Sequence, residues 1–308
     1  MTVGIEITNK NGTTFQENKV LSFEFRKDAY LPYSLLRIRL TGSSADYSDA
    51  AAVKLRIGGF TPHYGLIDSI TTETSGGNTV VNIVSRGFTS LLCQNQIEPG
   101  LKTGVSINSL MNSFYDFPNV TWEHSSDTGY IYVRPNTSMW DALSNLAYKL
   151  YGIYPYIRGQ NQIRTSPALT PRTFVYTDDQ LIAKGSRLLG RRLISDFHMA
   201  DINGDYGHYE LTDTDVTDMG IVRHSFFDLD MRFLRDPQDA LVYRDKFACR
   251  AWKQVFCKRS GYHGEDLSDI ISFGSVCAER ISAVTVTGNS SGIITESAVY
   301  HDKFPHTP

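Results

Sequence analysis

Through the first 95 residues, apolar and polar side chains alternate with a period of two. VGIEIT, KVLSFEFR, LLRIRL, AVKLRIG, HYGLIDSIT and TVVNIVSRG follow in order, punctuated by turn residues at Asn11-Gly12 and Gly76-Gly77-Asn78. Such alternation sends successive side chains to opposite faces and predicts half-exposed antiparallel strands. Val80, Ile83 and Val84 break it, which predicts a bulge or burial on both faces. Many short strands joined by Gly-rich turns predict a barrel or sandwich over residues 1–95.

The period changes over residues 96–170. Ile107, Leu110, Met111 and Phe114 fall at i, i+3, i+4 and i+7, one face of a helix. NVTWEH and GYIYVRP read as short strands. In TSMWDALSNLAYKLYG a second helix carries Trp140, Leu143, Leu146, Ala147 and Leu150 as its apolar stripe. Ser138 or Thr137 caps its start, Asp141 suits the first turn, and Gly152 sits where a left-handed stop is wanted. IYPYIRG and QIRTS form a hairpin around Gly159-Gln160-Asn161. The region reads as a small α/β insert of two helices and four short strands.

Strands return over residues 171–308, in FHMADI, GHYELT and MGIVRHSFF. Asp236-Pro237 then opens a helix, Asp as cap and Pro in the first turn. Its packed face, Ala240, Leu241, Arg244, Phe247, Ala248, Ala251 and Val255, predicts a long helix at about 237–256. After KRSGYHGED, whose structure the pattern leaves open, ISAVTVTG and GIITESAVYHD form a terminal hairpin, and KFPHTP is expected to be a disordered tail. The fold class expected is mainly β with an α/β insert: two β-barrel-like domains (1–95 and 171–308) separated by a small α/β domain (96–170).

Composition changes this picture little. The 17 Tyr and 16 Phe reinforce the strand reading. A net charge of −3 is too weak to draw in nucleic acid or an anionic membrane over distance. Cys93, Cys249, Cys257 and Cys277 show no metal-ligand spacing and are expected as free thiols in a reducing cytosol. The N-terminus lacks a signal-peptide pattern, and no apolar run approaches the length of a membrane span. The Asn-x-Ser/Thr triplets at Asn11, Asn119, Asn136 and Asn289 then carry no meaning.

Three motifs invite chemistry. Gly288-Asn289-Ser290-Ser291-Gly292 matches the nucleophile motif G-x-S-x-G, but IITESAVY after it alternates as a strand, so the context is a hairpin turn. Asp201-Ile202-Asn203-Gly204-Asp205 offers oxygens with calcium-loop spacing, yet Tyr206 and Thr212 stand where Gly and Glu belong; a turn between strands is the better reading. Asp196, Asp201, Asp205, Glu210, Asp213, Asp215, Asp218, Asp228 and Asp230 are answered locally only by Arg223, with His198, His208 and His224 interspersed but no close His pair. The following basic run (Arg244, Lys246, Arg250, Lys253, Lys258, Arg259) is either a solvated surface or a complement to that acidic stretch across a subunit interface. Asp141 is a helix-start residue. No catalytic, cofactor-binding or metal-ligating residue is assigned.

The run LRIGGFTPHYGLIDSITTETSGGNTVVNIVSRGFTSLLCQNQIEP, with Tyr64-Gly65-Leu66-Ile67-Asp68 and its closing Ser90-Leu91-Leu92, resembles the first barrel of the central baseplate hub proteins of phage tails. SINSLMNSF followed by PNTSMWDALSNLAYKLYGIYPYIRGQNQIR resembles that family's next element, a T-S-x-W-D-x-L helix leading into a hairpin. The resemblance covers residues 1–170; beyond them only the strand pattern and the terminal hairpin match. It implies a non-enzymatic hub, like the hub part of VgrG spikes, without cofactors. Three chains with two similar barrels each would form a trimeric, pseudo-hexameric ring. One face would meet the hexameric tail tube or a tube-initiator protein, the other a trimeric central spike, with tape measure and other baseplate proteins nearby. DNA would pass the lumen without sequence-specific contact, and no membrane is involved. The location implied is the virion tail baseplate, assembled in the bacterial cytoplasm. Two alternatives stay open: a tail-associated cell-wall-active enzyme or carbohydrate-binding protein, and a metal-dependent β domain using the Asp201–Asp205 loop.

Overall fold

A computed structural model of the protein describes residues 2–41, 47–113 and 117–304. The N-terminal region forms β1 (Val3–Asn9), β2 (Thr14–Glu17), β3 (Val20–Asp28), β4 (Leu35–Thr41), β5 (Ala50–Ile57), β6 (Phe60–Ser75) and β7 (Asn78–Gly87). Burial follows the predicted alternation: Leu36, Ile38 and Leu40 of β4 face inward while Arg37 and Arg39 face out. Gly76 and Gly77 both take φ near the left-handed region (57° and 80°), which closes the β6–β7 hairpin tightly. The irregular pattern near Val84 reflects a bulge on the partner strand, where Asp68 is the extra residue between Ile67 and Ser69. Its carboxylate accepts two hydrogen bonds from Arg86, at 2.6 and 2.9 Å.

The insert comprises α1 (Leu91–Gln94), β8 (Gly100–Val105), α2 (Ile107–Asn112), β9 (Thr121–Trp122), β10 (Gly129–Val133), α3 (Met139–Tyr151), β11 (Tyr156–Arg158) and β12 (Gln162–Arg164). Strand β8 and helix α1 escaped the pattern analysis, because β8 buries no side chain fully and α1 is a single turn. Ser138 caps α3 by accepting from the Asp141 N–H, and Gly152 ends it at φ 72°. Trp140, Leu143, Leu146 and Ala147 close over Ile107, Leu110, Met111, Ile131 and Val133, forming a second core that continues to Ala52 and Phe88 of the first region. Phe114 lies outside the described residues.

The C-terminal region contributes β13 (Thr173–Tyr176), β14 (Ala183–Leu188), β15 (Asp196–Met199), β16 (Tyr209–Thr212), α4 (Thr214–Asp218), β17 (His224–Phe227) and α5 (Pro237–Ala248). Then follow β18 (Lys253–Ser260), β19 (Ile270–Phe273), β20 (Val276–Arg280), β21 (Ala283–Asn289) and β22 (Gly292–Tyr300). Two expectations are corrected here. Helix α5 stops at Ala248 rather than near 256: Ala251 adopts φ 54°, and Val255 belongs to β18, paired on both sides by β14 and β22. Sheet pairing on two flanks outweighs the helical spacing of a few apolar residues. Asp236 occupies the N-cap position, but its side chain makes no capping bond. The start of the tail is ordered: Phe304 is only 2% exposed, packed with Tyr30, Tyr148, Tyr154 and Tyr243, while residues beyond it are not described.

The two β-rich regions share one eleven-stranded sheet, in the order β14-β18-β22-β21-β3-β4-β7-β6-β5-β1-β2. They join where β21 pairs antiparallel with β3, Ala283 opposite Asp28 through Asn289 opposite Ser22. Gly288 permits this approach, since a Cβ there would meet the Phe23 ring at 2.1 Å. One core crosses the junction, from Ile5, Phe25, Leu36 and Ile83 to Val284, Val286 and Val299. Buried side chains of this size contribute about 1.5–3 kcal/mol each. The insert is tied to this body at its hairpin tip: the Lys27 ammonium, nearly fully buried, donates to Asp266 (2.7 Å) and to the Gly159 carbonyl. Among the described residues, no helix is long and apolar enough to cross a membrane.

Candidate functional site

The motifs singled out in the sequence resolve into turns and caps. Ser290 and Ser291 form the tip of the β21–β22 hairpin, where Asn289 Oδ1 accepts from the Ser291 N–H at 2.8 Å. The Asp201 carboxylate accepts the N–H groups of Asn203 (2.7 Å) and Asp205 (3.0 Å), which hold its pKa below the usual range. Asp141 accepts the Ser138 hydroxyl at 2.7 Å and serves α3.

The acidic stretch does not form one surface, and its buried members Asp213 and Asp230 draw their cationic partners from outside it. Arg223, its expected counter-charge, donates instead to the carbonyls of Gly190 and Leu193. Asp230 is fully buried and held by Arg232 (2.7 Å), Arg244 (3.0 Å) and Arg134 (3.4 Å). Burial opposes its charge, but these guanidiniums outweigh it and bring the pKa down to about 2. Part of the basic run is thus matched within the chain. Asp213 and Asp245 converge with Cys249 on a common point beneath α5. That point already holds a cation, because Lys303 Nζ stands 2.7 Å from Asp213 and 2.9 Å from Asp245. The cluster therefore acts as a clamp on the C-terminal segment. Only the tertiary fold reveals it, since Lys303 is 58 residues from Asp245 in sequence.

His198 and His224 were also too far apart to pair on sequence grounds. Parallel pairing of β15 with β17 brings His198 Nε2 to 3.1 Å from His224 Nδ1. Arginines gather elsewhere. Two adjoining cavities of about 470 and 370 Å³ share Arg192 and Arg250; the larger adds Arg26 and Arg191, the smaller Arg232 and Arg244. Arg191, Arg192 and Arg250 form no ion pair among the described residues. Burial, and then Arg192, lowers the Arg250 pKa.

The large sheet itself is the most extensive candidate surface. Among the described residues it terminates at β14 on one side and β2 on the other. At the two ends of β14 stand exposed apolar side chains: Ile182 (57%), Leu188 (63%) and Leu189 (48%). A terminal strand leaves main-chain donors and acceptors available for another strand, and apolar neighbours favour their coverage.

No family model matches the sequence, and no curated protein matches it. Solved structures do. The chain is similar to the 43 kDa tail protein of prophage MuSo2 from Shewanella oneidensis, at TM-score 0.73 and 13% identity, covering 97% of this chain and 98% of that one. It is equally similar to the tail protein of Neisseria meningitidis MC58, at TM-score 0.73 and 13% identity, over 99% and 98%. An E. coli type VI secretion component, described as structurally similar to T4 phage tail proteins gp27 and gp5, follows at TM-score 0.56 and 8% identity, over 94% and 75%. The chain thus has the mostly β fold of phage tail proteins and their secretion-system counterparts.

Proposed function

We propose that the protein is a structural hub of a phage or phage-like tail baseplate, a trimer whose ring joins a hexameric tube to a trimeric spike. One observation carries the reading: a single sheet spans both β-rich regions and ends in strands at opposite sides, β14 and β2. Pairing β14 of one copy with β2 of the next is a head-to-tail contact, and such contacts close into rings when the rotation permits. In this reading residues 1–95 and 171–308 supply two barrel-type units per chain, and residues 96–170 form a spacer docked on them. Six such units around a three-fold axis suit a six-fold tube on one face and a three-fold spike on the other. The fold shared with tail proteins supports the setting. Light scattering and negative-stain imaging of the chain, alone and with tube and spike proteins, test it. A three-chain ring with a central hole is expected; a stable monomer in the presence of both partners overturns the proposal.

A further inference from the structure

The two arginine-lined cavities meet at Arg192 and Arg250, and their walls differ in chemistry. The larger, of about 470 Å³, sets Arg26, Arg191, Arg192 and Arg250 around a single carboxylate, Asp28. That carboxylate is already engaged: Arg26 donates to it at 2.9 Å and the Tyr300 hydroxyl at 2.8 Å. Among the described residues, the other three guanidiniums have no anion to answer them. Arg191 and Arg192 make no side-chain hydrogen bond there, and Arg250 makes one, to the Phe247 carbonyl at 3.4 Å. The Arg250 guanidinium also lies 3.6 Å from the centre of the Phe247 ring, which holds its plane and leaves its edge open. Like charges gathered in a partly enclosed space repel one another, and an anion between them relieves that repulsion.

The smaller cavity, of about 370 Å³, continues from these arginines into an aromatic slot lined by Tyr154, Phe197, Phe227, Tyr243 and Phe247. Two polar atoms of its lining residues lack a hydrogen-bond partner of ordinary geometry: Ser144 Oγ, in a residue only 2% exposed, and Arg244 Nε. Buried polar groups nearly always find a partner, so these two point to one supplied from outside the chain. Apolar walls with a few placed polar groups are the usual construction of a ligand pocket. Guanidinium forks match the paired oxygens of carboxylates and phosphates.

We propose that the two cavities form one binding site for an organic anion with an aromatic body. Its carboxylate or phosphate sits among Arg191, Arg192 and Arg250, and its ring enters the slot beside Ser144. A free aromatic phosphate and a phenylalanine flanked by glutamates in a partner polypeptide present this same chemistry. The site is complete within one chain, so it does not depend on ring formation.

Calorimetry of the full chain with three probes is the test: phenyl phosphate, inorganic phosphate, and a capped pentapeptide with one phenylalanine between glutamates. Saturable binding of phenyl phosphate at one site per chain is expected, about tenfold or more tighter than inorganic phosphate, because the ring adds buried apolar area. Tighter binding of the peptide than of phenyl phosphate assigns the anion to a partner polypeptide; the reverse order assigns it to a small molecule. Arg192→Ala removes an exposed side chain, so its melting temperature should match wild type while its affinity falls about tenfold. Failure of both aromatic probes to bind wild type overturns the proposal. Equal affinities for phenyl phosphate and inorganic phosphate overturn the aromatic slot, and unchanged affinity in both Arg192→Ala and Arg250→Ala places binding elsewhere and overturns the site.

Discussion

His63 Nε2 stands 2.9 Å from Ser85 Oγ across β6 and β7, with Ser34 Oγ 2.8 Å from its other ring nitrogen. The ring is completely buried, and burial, with a smaller push from Lys27, lowers its pKa to about 3. The folded chain therefore keeps His63 neutral where the unfolded chain, near the ordinary histidine value of 6.5, takes up a proton. Stability from this group is complete above pH 6.5 and is lost as pH falls from there toward 3. His63→Gln, which keeps hydrogen-bonding capacity without a titrating group, should flatten that part of the acid limb in melts taken across this range. An unchanged slope would show that other groups dominate acid unfolding.

Asp245 predicts an opposite slope. Burial, reinforced by Asp213, outweighs Lys303 and raises its pKa from 3.8 to about 6. Below pH 3.8 both states hold the proton; between 3.8 and 6 only the folded state does. This contribution is therefore present at low pH and lost as pH rises through about 6. The melting temperature of Asp245→Asn minus that of wild type should climb across this window. Lys303→Met leaves Asp213 and Asp245 buried without a cation and should cost about 3–5 kcal/mol at neutral pH, read from denaturant unfolding.

Gly65 is held to glycine by its neighbour on β7. A Cβ at this position would lie 2.2 Å from the Arg86 carbonyl oxygen, and backbone cannot yield as a flexible side chain can. Gly65→Ala is expected to cost more than about 3 kcal/mol. Gly59→Ala, with nothing within 4 Å of the added atom, should stay within about 0.5 kcal/mol of wild type. Equal melting temperatures for the two variants would contradict the close approach.

Local chemistry was readable in the chain. The Ser138 cap, the Gly152 stop and the Gly76-Gly77 hairpin each depend on residues within a few positions of one another. Pairings between distant segments leave no such trace. The β3–β21 junction, the Lys303 clamp and the His198–His224 contact each bring together groups separated by a turn, a strand or most of the chain. Helix α5 shows the converse: Ala251 and Val255 kept helical spacing while belonging to a turn and a strand, because pairing with β14 and β22 decides there.

The last prediction concerns the sheet edge. Ile182, just before β14, and Leu188, its last residue, are each more than half exposed, so polar replacement there should barely affect folding, within about 0.5 kcal/mol. Lysine at an edge strand opposes pairing with another strand, because its charge would have to be desolvated or repelled at the contact. Ile182→Lys combined with Leu188→Lys should therefore leave the melting temperature near wild type while shifting the light-scattering mass from that of the proposed trimer to that of a monomer. If the double variant still forms three-chain rings, β14 is not the closing edge and the subunit contact lies on another surface.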